Sequence, residues 1–367
     1  MRLFILQISL LFSFVTSAQN VTQKLQRVVD SFYTEHPEAI GFLVYVEDPE
    51  NHISWNYAAG YSDTSTKQQL LPQQPVLVAS NTKPYVAASI LRLVEQGKLK
   101  VDQPIEKLVS PKSAKELSAA GYDLKSITLK HLLSHTSGIR DYVDENYFHF
   151  IQEYKKYEWT RDEQISRAAK AGKPLANPGD TFRYADINYV LLTEVIEGAT
   201  HQPFYKAIRS LLNYDALRLH DTWFAKLETA PSGSLPRSHQ YWNEYSFDTY
   251  DLDPSWDLYG GGGMIVTVKD LAIFFQDLFN GKVIQKKAIL DLLHEDVPPN
   301  LQINYCLGIR KINVAGLETY NHGGGLGTDV IYIPSLNASV AIAVMEASKR
   351  PLALQMREEI VRLLNQQ

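Results

Sequence analysis

Val78-Ala79-Ser80-Asn81-Thr82-Lys83 opens the stretch around which this chain of 367 residues is organised. Val86, Ile90, Leu93 and Val94 follow at helical spacing, so one face is apolar. Gly97 is a natural stop. Pro84 lacks a backbone N–H, which is harmless only in a first helical turn. These residues predict a helix from near Ser80 to Gly97, with the Ser80 hydroxyl and N–H at its positive end. Lys83 lies three residues on and shares that face. A serine is a weak nucleophile until a base takes its proton. A lysine can do so if burial or neighbouring groups bring its pKa towards neutrality. The pair reads as nucleophile and base; an N-cap serine beside a solvated lysine is the plain alternative.

Outward from this helix the pattern changes character. On the N-terminal side, Val21, Leu25, Val28 and Phe32 mark an amphipathic helix. Gly41–Val46 and Ile53–Tyr57 read as strands joined by a turn at Asp48-Pro49-Glu50-Asn51. From about residue 98 to 245 the sequence is mostly helical. Ile127 to Gly138 reads as a short helix, and others start near Asn188 and Phe204. Two stretches, Tyr147–Trp159 and Tyr241–Tyr259, are rich in aromatic residues, as ring-anchored surface loops or as the walls of a groove. Strand-like runs return at Tyr305–Val314, Leu317–Tyr320, Val330–Ile333 and Val340–Met345, and Leu352–Leu364 closes the chain as an amphipathic helix. The expected fold is α+β, an α/β sandwich: an antiparallel sheet flanked by N- and C-terminal helices, with an all-α region inserted.

A hydrophobic content of 45% is ordinary for a globular protein, and a net charge of -5 gives no basic footprint for nucleic acid. Arg2, the apolar run Leu3–Val15 and Thr16-Ser17-Ala18 describe a secretory signal peptide over residues 1–18, cut after Ala18. The expected domain is then 19–367, exported to the periplasm or the medium, with no membrane span once the signal is removed. The one cysteine, Cys306, sits in an apolar pattern and reads as core.

Two further groups carry chemistry. In Tyr184-Ala185-Asp186, a loop tyrosine can present its phenol to a cleft; near a lysine ammonium the phenolate is favoured and the group can shuttle protons. The alternative is a packed tyrosine with its hydroxyl in water. In Asn321-His322-Gly323-Gly324-Gly325, bare glycines let a substrate approach the backbone. An N–H there, with that of Ser80, can hold a developing oxyanion; a flexible turn is the alternative.

Taken together, the chain resembles the serine β-lactamase-related superfamily, in its class C β-lactamase and D-alanyl-D-alanine peptidase branch. Ser80-x-x-Lys83, Tyr184-x-Asp186 and His322-Gly323-Gly324 match its three ordered motifs. The flanks Lys83–Ile90, His131–Gly138, Gly261–Met264 and Asp270–Ala272 are similar as well, and the similarity runs from about residue 25 to 365. The resemblance implies an acyl-enzyme at Ser80, with Lys83 and Tyr184 as general base and acid. It also implies an oxyanion hole from the N–H groups of Ser80 and Gly325. Asp186, His322, Gly323 and Gly324 would line the substrate, a small molecule or peptide with an acyl group to transfer. No metal or organic cofactor is implied.

Two departures stand out. Asp186 replaces the usual asparagine of the second motif, which favours a protonated Lys83 and removes an amide donor. His322 replaces the lysine of strong β-lactamases, and histidine is mostly neutral at pH 7. Both weaken recognition of a substrate carboxylate. An esterase or amidase on small acyl substrates therefore leads, with a D-alanyl-D-alanine carboxypeptidase and a weak β-lactamase as alternatives. A non-catalytic protein that binds cell-wall peptide is the alternative of another class. His131 and His135 lie four apart, but no glutamate follows His131 in the zinc-protease pattern. The glycines at 323–327 lead into a strand, against dinucleotide binding.

Overall fold

The computed structural model describes residues 20–295, 301 and 304–367. The predicted signal segment and its cut after Ala18 lie outside these residues.

A helix over residues 20–35 (α1) leads into strands β1 (Gly41–Asp48), β2 (Ile53–Asp63) and the short β3 (Gln68–Gln69). Helix α2 (Lys83–Glu95) follows, and later α3 (Asp186–Thr200) and α4 (Val268–Phe279). Strands β4 (Arg310–Val314), β5 (Leu317–Gly324), β6 (Thr328–Ile333) and β7 (Ala338–Val344) then precede the closing helix α5 (Arg350–Leu364). One seven-stranded antiparallel sheet runs β3-β2-β1-β7-β6-β5-β4, so strands from both ends of the chain meet at the β1–β7 pair. This is the α+β sandwich expected.

The period-2 alternation of the strands divides the core. Phe42, Val44 and Val46 of β1, with Ile331 and Ile342, face α1 and α5 through Val21, Leu25, Met356 and Ile360. Leu43 and Tyr45, with Val330, Ala341 and Ala343, face the other way, towards α2, α4 and the helical region. Every such fully buried aliphatic or aromatic side chain contributes roughly 1.5–3 kcal/mol. α2 is buried almost all round, as a helix at the centre of a large core must be.

Several boundaries differ from expectation. The Ser80 helix starts three residues late: Ala79–Thr82 forms a 3-10 turn, and the α-helix begins at Lys83. Ala79 takes φ 47°, a left-handed backbone that no α-helix can include. The segment 127–138 holds only the five-residue helix Leu129–Leu133, because Thr128 caps it at one end and His135 turns left-handed at the other. α3 begins at Asp186 rather than Asn188. Tyr305 makes an isolated bridge to Arg310 instead of continuing a strand. The aromatic stretches pack on one another. Phe148 stacks on Tyr245 at 4.7 Å and meets Trp242 edge-on at 5.3 Å. Cys306 is buried in the core, as its apolar context predicts. Among the described residues no helix is long and apolar enough to cross a membrane.

Candidate active site

The Ser80 turn is pinned from three sides. Thr328 Oγ1 donates to Val78 O at 2.9 Å and accepts from Asn81 Nδ2 at 2.8 Å, which fastens the β5–β6 hairpin to the turn. Gln240 Nε2 donates to both Leu77 O and Leu326 O at 2.9 Å, tying the aromatic 241–248 segment to the same place. Thr82 Oγ1 accepts from Met264 N at 3.3 Å, which brings the Gly260–Gly263 run alongside. Ser80 itself remains partly exposed.

Lys83 is fully buried directly below. Its Nζ donates to Ser80 Oγ at 3.0 Å and to Gly261 O at 2.6 Å, and faces Asp186 Oδ1 at 2.6 Å. Three oxygens thus match the three N–H donors of an ammonium. Burial pushes the Lys83 pKa down, but the Asp186 carboxylate and Tyr184 outweigh it and hold the amine charged above its ordinary range. The expectation that burial would bring Lys83 towards neutrality is therefore corrected: the carboxylate that takes the asparagine position reverses the sign. A protonated Lys83 beside Asp186 is what that departure implied.

Tyr184 lies across the cleft, with Lys83 Nζ 4.9 Å from the centre of its ring. Its hydroxyl interacts with Lys83 and Ser80, yet burial raises its pKa, with Lys83 opposing and Asp186 adding to the rise. It is a neutral phenol, not the phenolate expected beside an ammonium. Tyr184 also borders a cavity of about 540 Å³ lined by Phe182, Arg183, Asp141 and Asp144, whose lining does not include Ser80.

Of the glycine motif, Gly325 is exposed, with open space around its Cα, at the turn that follows β5. Gly324 is pressed onto the serine turn: a Cβ there would lie 2.2 Å from Val78 O. Gly323 lies under the Arg350 guanidinium. His322 departs from its expected place along the substrate. Its ring is buried, with Nε2 3.1 Å from Tyr305 Oη and Nδ1 3.1 Å from Gly323 O. Burial and the charge on Lys83 push its pKa well below the ordinary value, so it is neutral. His135 is buried on the far side of Tyr305, 3.2 Å from the same hydroxyl, and is neutral for the same causes. His131 caps its own helix. No cluster that could hold a metal occurs among the described residues.

Sequence patterns did not single out three contributors. Gly261 supplies a carbonyl to Lys83, and its bare Cα lets the Asp186 side chain approach; a Cβ there would lie 3.2 Å from Asp186 Cγ. Asp141 accepts from the N–H groups of Asp186 and Ile187 at 2.9 and 3.2 Å, so it caps α3. Burial and the nearby Asp186 push its carboxyl up to about 7. Asp257 is raised to about 8, again by burial and then by Asp186. Its carboxylate lies over Gly262, where a Cβ would sit 2.1 Å from Oδ2. The Gly261–Met264 flank stands out in the sequence only as similar to the family, and nothing local separates Asp141 or Asp257 from ordinary turn carboxylates.

The comparisons with known proteins bear on the family and the fold. The family model described as Beta-lactamase matches residues 25–364. PbpX of Bacillus subtilis (strain 168), provisionally named a penicillin-binding protein, is 26% identical over 318 residues, which are 86% of this chain and 73% of that protein. Among solved structures, a D-stereospecific amidohydrolase from Streptomyces sp. is 26% identical with a TM-score of 0.70, covering 85% of this chain and 92% of that one. A D-amino acid amidase from Ochrobactrum anthropi SV3, complexed with L-phenylalanine amide, has a TM-score of 0.78 at 19% identity over 95% and 99% of the two chains. That last likeness concerns the fold.

Proposed function

The chain belongs to the Beta-lactamase family, and from that premise we propose a serine hydrolase that forms an acyl-enzyme at Ser80 and acts on small amides or esters, D-amino-acid derivatives among them. The observation that carries this reading is the 3.0 Å contact between Lys83 Nζ, fully buried, and the Oγ of the partly exposed Ser80. A structural serine has no need of a fully buried lysine at that distance.

In this reading Ser80 Oγ attacks the carbonyl carbon, and its proton leaves through Lys83. The N–H groups of Ser80 and Gly325 hold the oxyanion, each such donor contributing about 3–4 kcal/mol. Tyr184, a neutral phenol, gives the leaving nitrogen or oxygen its proton. Water then attacks the acyl-enzyme by the reverse route. The likeness to a D-stereospecific amidohydrolase at 26% identity supports D-configured amides as substrates. The neutral His322 and the carboxylate of Asp186 disfavour substrates recognised through their own carboxylate. Export belongs to the same proposal, supported by Arg2, the apolar run Leu3–Val15 and the small residues before Gln19.

The test is parallel turnover of a short-chain chromogenic ester, a D-amino-acid anilide and a chromogenic cephalosporin by wild type and Ser80→Ala. Turnover of the first two, slow or absent cleavage of the third, and loss of all activity in Ser80→Ala are expected. Rapid cephalosporin cleavage would instead make the protein a β-lactamase, and activity that survives Ser80→Ala would remove Ser80 from the chemistry.

A further inference from the structure

The geometry leaves Lys83 with a problem that Asp186 solves. An ammonium has no lone pair with which to take the Ser80 proton. One acceptor, Gly261 O, is a carbonyl and cannot keep a proton; another is the nucleophile itself. The third is a carboxylate oxygen. Asp186 Oδ1 is buried, and among the described residues it takes no conventional hydrogen bond, so its partner is the ammonium 2.6 Å away.

We propose that Asp186 is the proton acceptor that makes Lys83 a base, so that a proton moves from Lys83 Nζ to Asp186 Oδ1 as another moves from Ser80 Oγ to Lys83 Nζ. The Ser80 O–H bond breaks and an N–H bond forms; a Lys83 N–H bond breaks and a carboxyl O–H bond forms. Ser80 Oγ meanwhile bonds to the carbonyl carbon, whose oxygen takes up the negative charge. Lys83 ends as the ammonium it began as, and Asp186 ends as a neutral acid. When the intermediate collapses, Tyr184 protonates the leaving group and recovers its proton from Asp186 through Lys83. This rests on the acyl-enzyme reading above.

Burial helps the transfer. Two opposite charges taken out of water are each penalised, so the neutral pair is closer in energy to the ion pair here than in solvent. Asp141, from the segment before α3, and Asp257, ahead of the glycine run, also face Asp186, and burial first and Asp186 second raise both of their carboxyls. Lys83, Tyr184 and the buried Tyr142 and Tyr147 also interact with Asp186, and the more distant His135 and His322 are neutral. Asp186 acts through Lys83, so its role is to position and receive a proton.

The experiment is the rate at which Ser80 is labelled by a fluorophosphonate between pH 5 and 10, in wild type, Asp186→Asn and Asp186→Glu. Asp186→Asn should label about 100-fold more slowly, the scale of one lost proton acceptor, and Asp186→Glu, which keeps a carboxylate, should recover most of the rate. A wild-type rate that keeps climbing through pH 9–10 would overturn the proposal, since the free amine would then be the base. So would an Asp186→Asn protein that labels as fast as wild type, or faster. If Asp186→Asn does not fold, the wild-type profile through pH 9–10 decides instead. Failure of wild type to label at Ser80 is a separate result and would sink the acyl-enzyme reading itself.

Discussion

At the scale of single residues, charge sets the behaviour of the site. Lys83 is surrounded by three oxygens at 2.6 to 3.0 Å, and the carboxylate among them decides its protonation. The Ser-x-x-Lys spacing announced that contact, because residues three apart on a helical turn face one way. The Asp186 departure announced the charged lysine too. The neutral Tyr184 and the buried His322 were not legible, since both depend on what packs over them from distant segments. Asp257 makes the same point through stability. Its carboxyl is raised from about 4 unfolded to about 8 folded, so the folded chain binds the extra proton and loses stability as pH climbs through that window. Asp257→Asn removes this penalty. Its stability should gain on wild type between pH 5 and pH 8, by an amount on the order of 4 kcal/mol, read as a widening gap in melting temperature. Parallel melting curves that keep a constant gap would show that Asp257 carries no raised pKa.

At the scale of elements, the β5–β6 hairpin is the part that completes the cleft. It was legible as glycine-rich sequence leading into a strand, because bare residues at a strand end permit close approach. Its anchor, Thr328 between Val78 O and Asn81, was not, since the contact joins residues some 250 positions apart. Gly324→Ala places a methyl against Val78 O and Thr328 Oγ1, within 2.3 Å of each. The hairpin must then lift off the serine turn, and a shift of about 1 Å at such a site lowers rates roughly 100-fold. Gly325→Ala, one residue on, meets open space and leaves the N–H in place; its kcat/KM should stay within about threefold of wild type on the same scale of effects. Steady-state kinetics on the two variants checks the pair, and equal losses in both would show that the hairpin does not set the geometry.

At the scale of the whole molecule, the sheet separates two layers with different duties. Strands at both ends of the chain and helices between them were readable from hydrophobic periodicity. The strand order was not, because pairing β1 with β7 is a choice made across nearly 300 residues. The outer layer, α1 and α5, holds the sheet; the inner layer carries the chemistry. Ile360→Ala opens a cavity in the outer layer and should lower stability by about 2–4 kcal/mol in denaturant melts, with kcat/KM of the remaining folded protein unchanged. A matching loss of activity would mean that the layers are coupled. The account as a whole stands on one bond, and the most direct measurement is the mass of the Ser80 peptide after treatment with a fluorophosphonate. An adduct on Ser80, absent from Ser80→Ala and blocked by a competing D-amino-acid amide, is predicted. An unmodified Ser80, or a label elsewhere in the chain, would contradict the claim that this family member works through an acyl-enzyme at that residue.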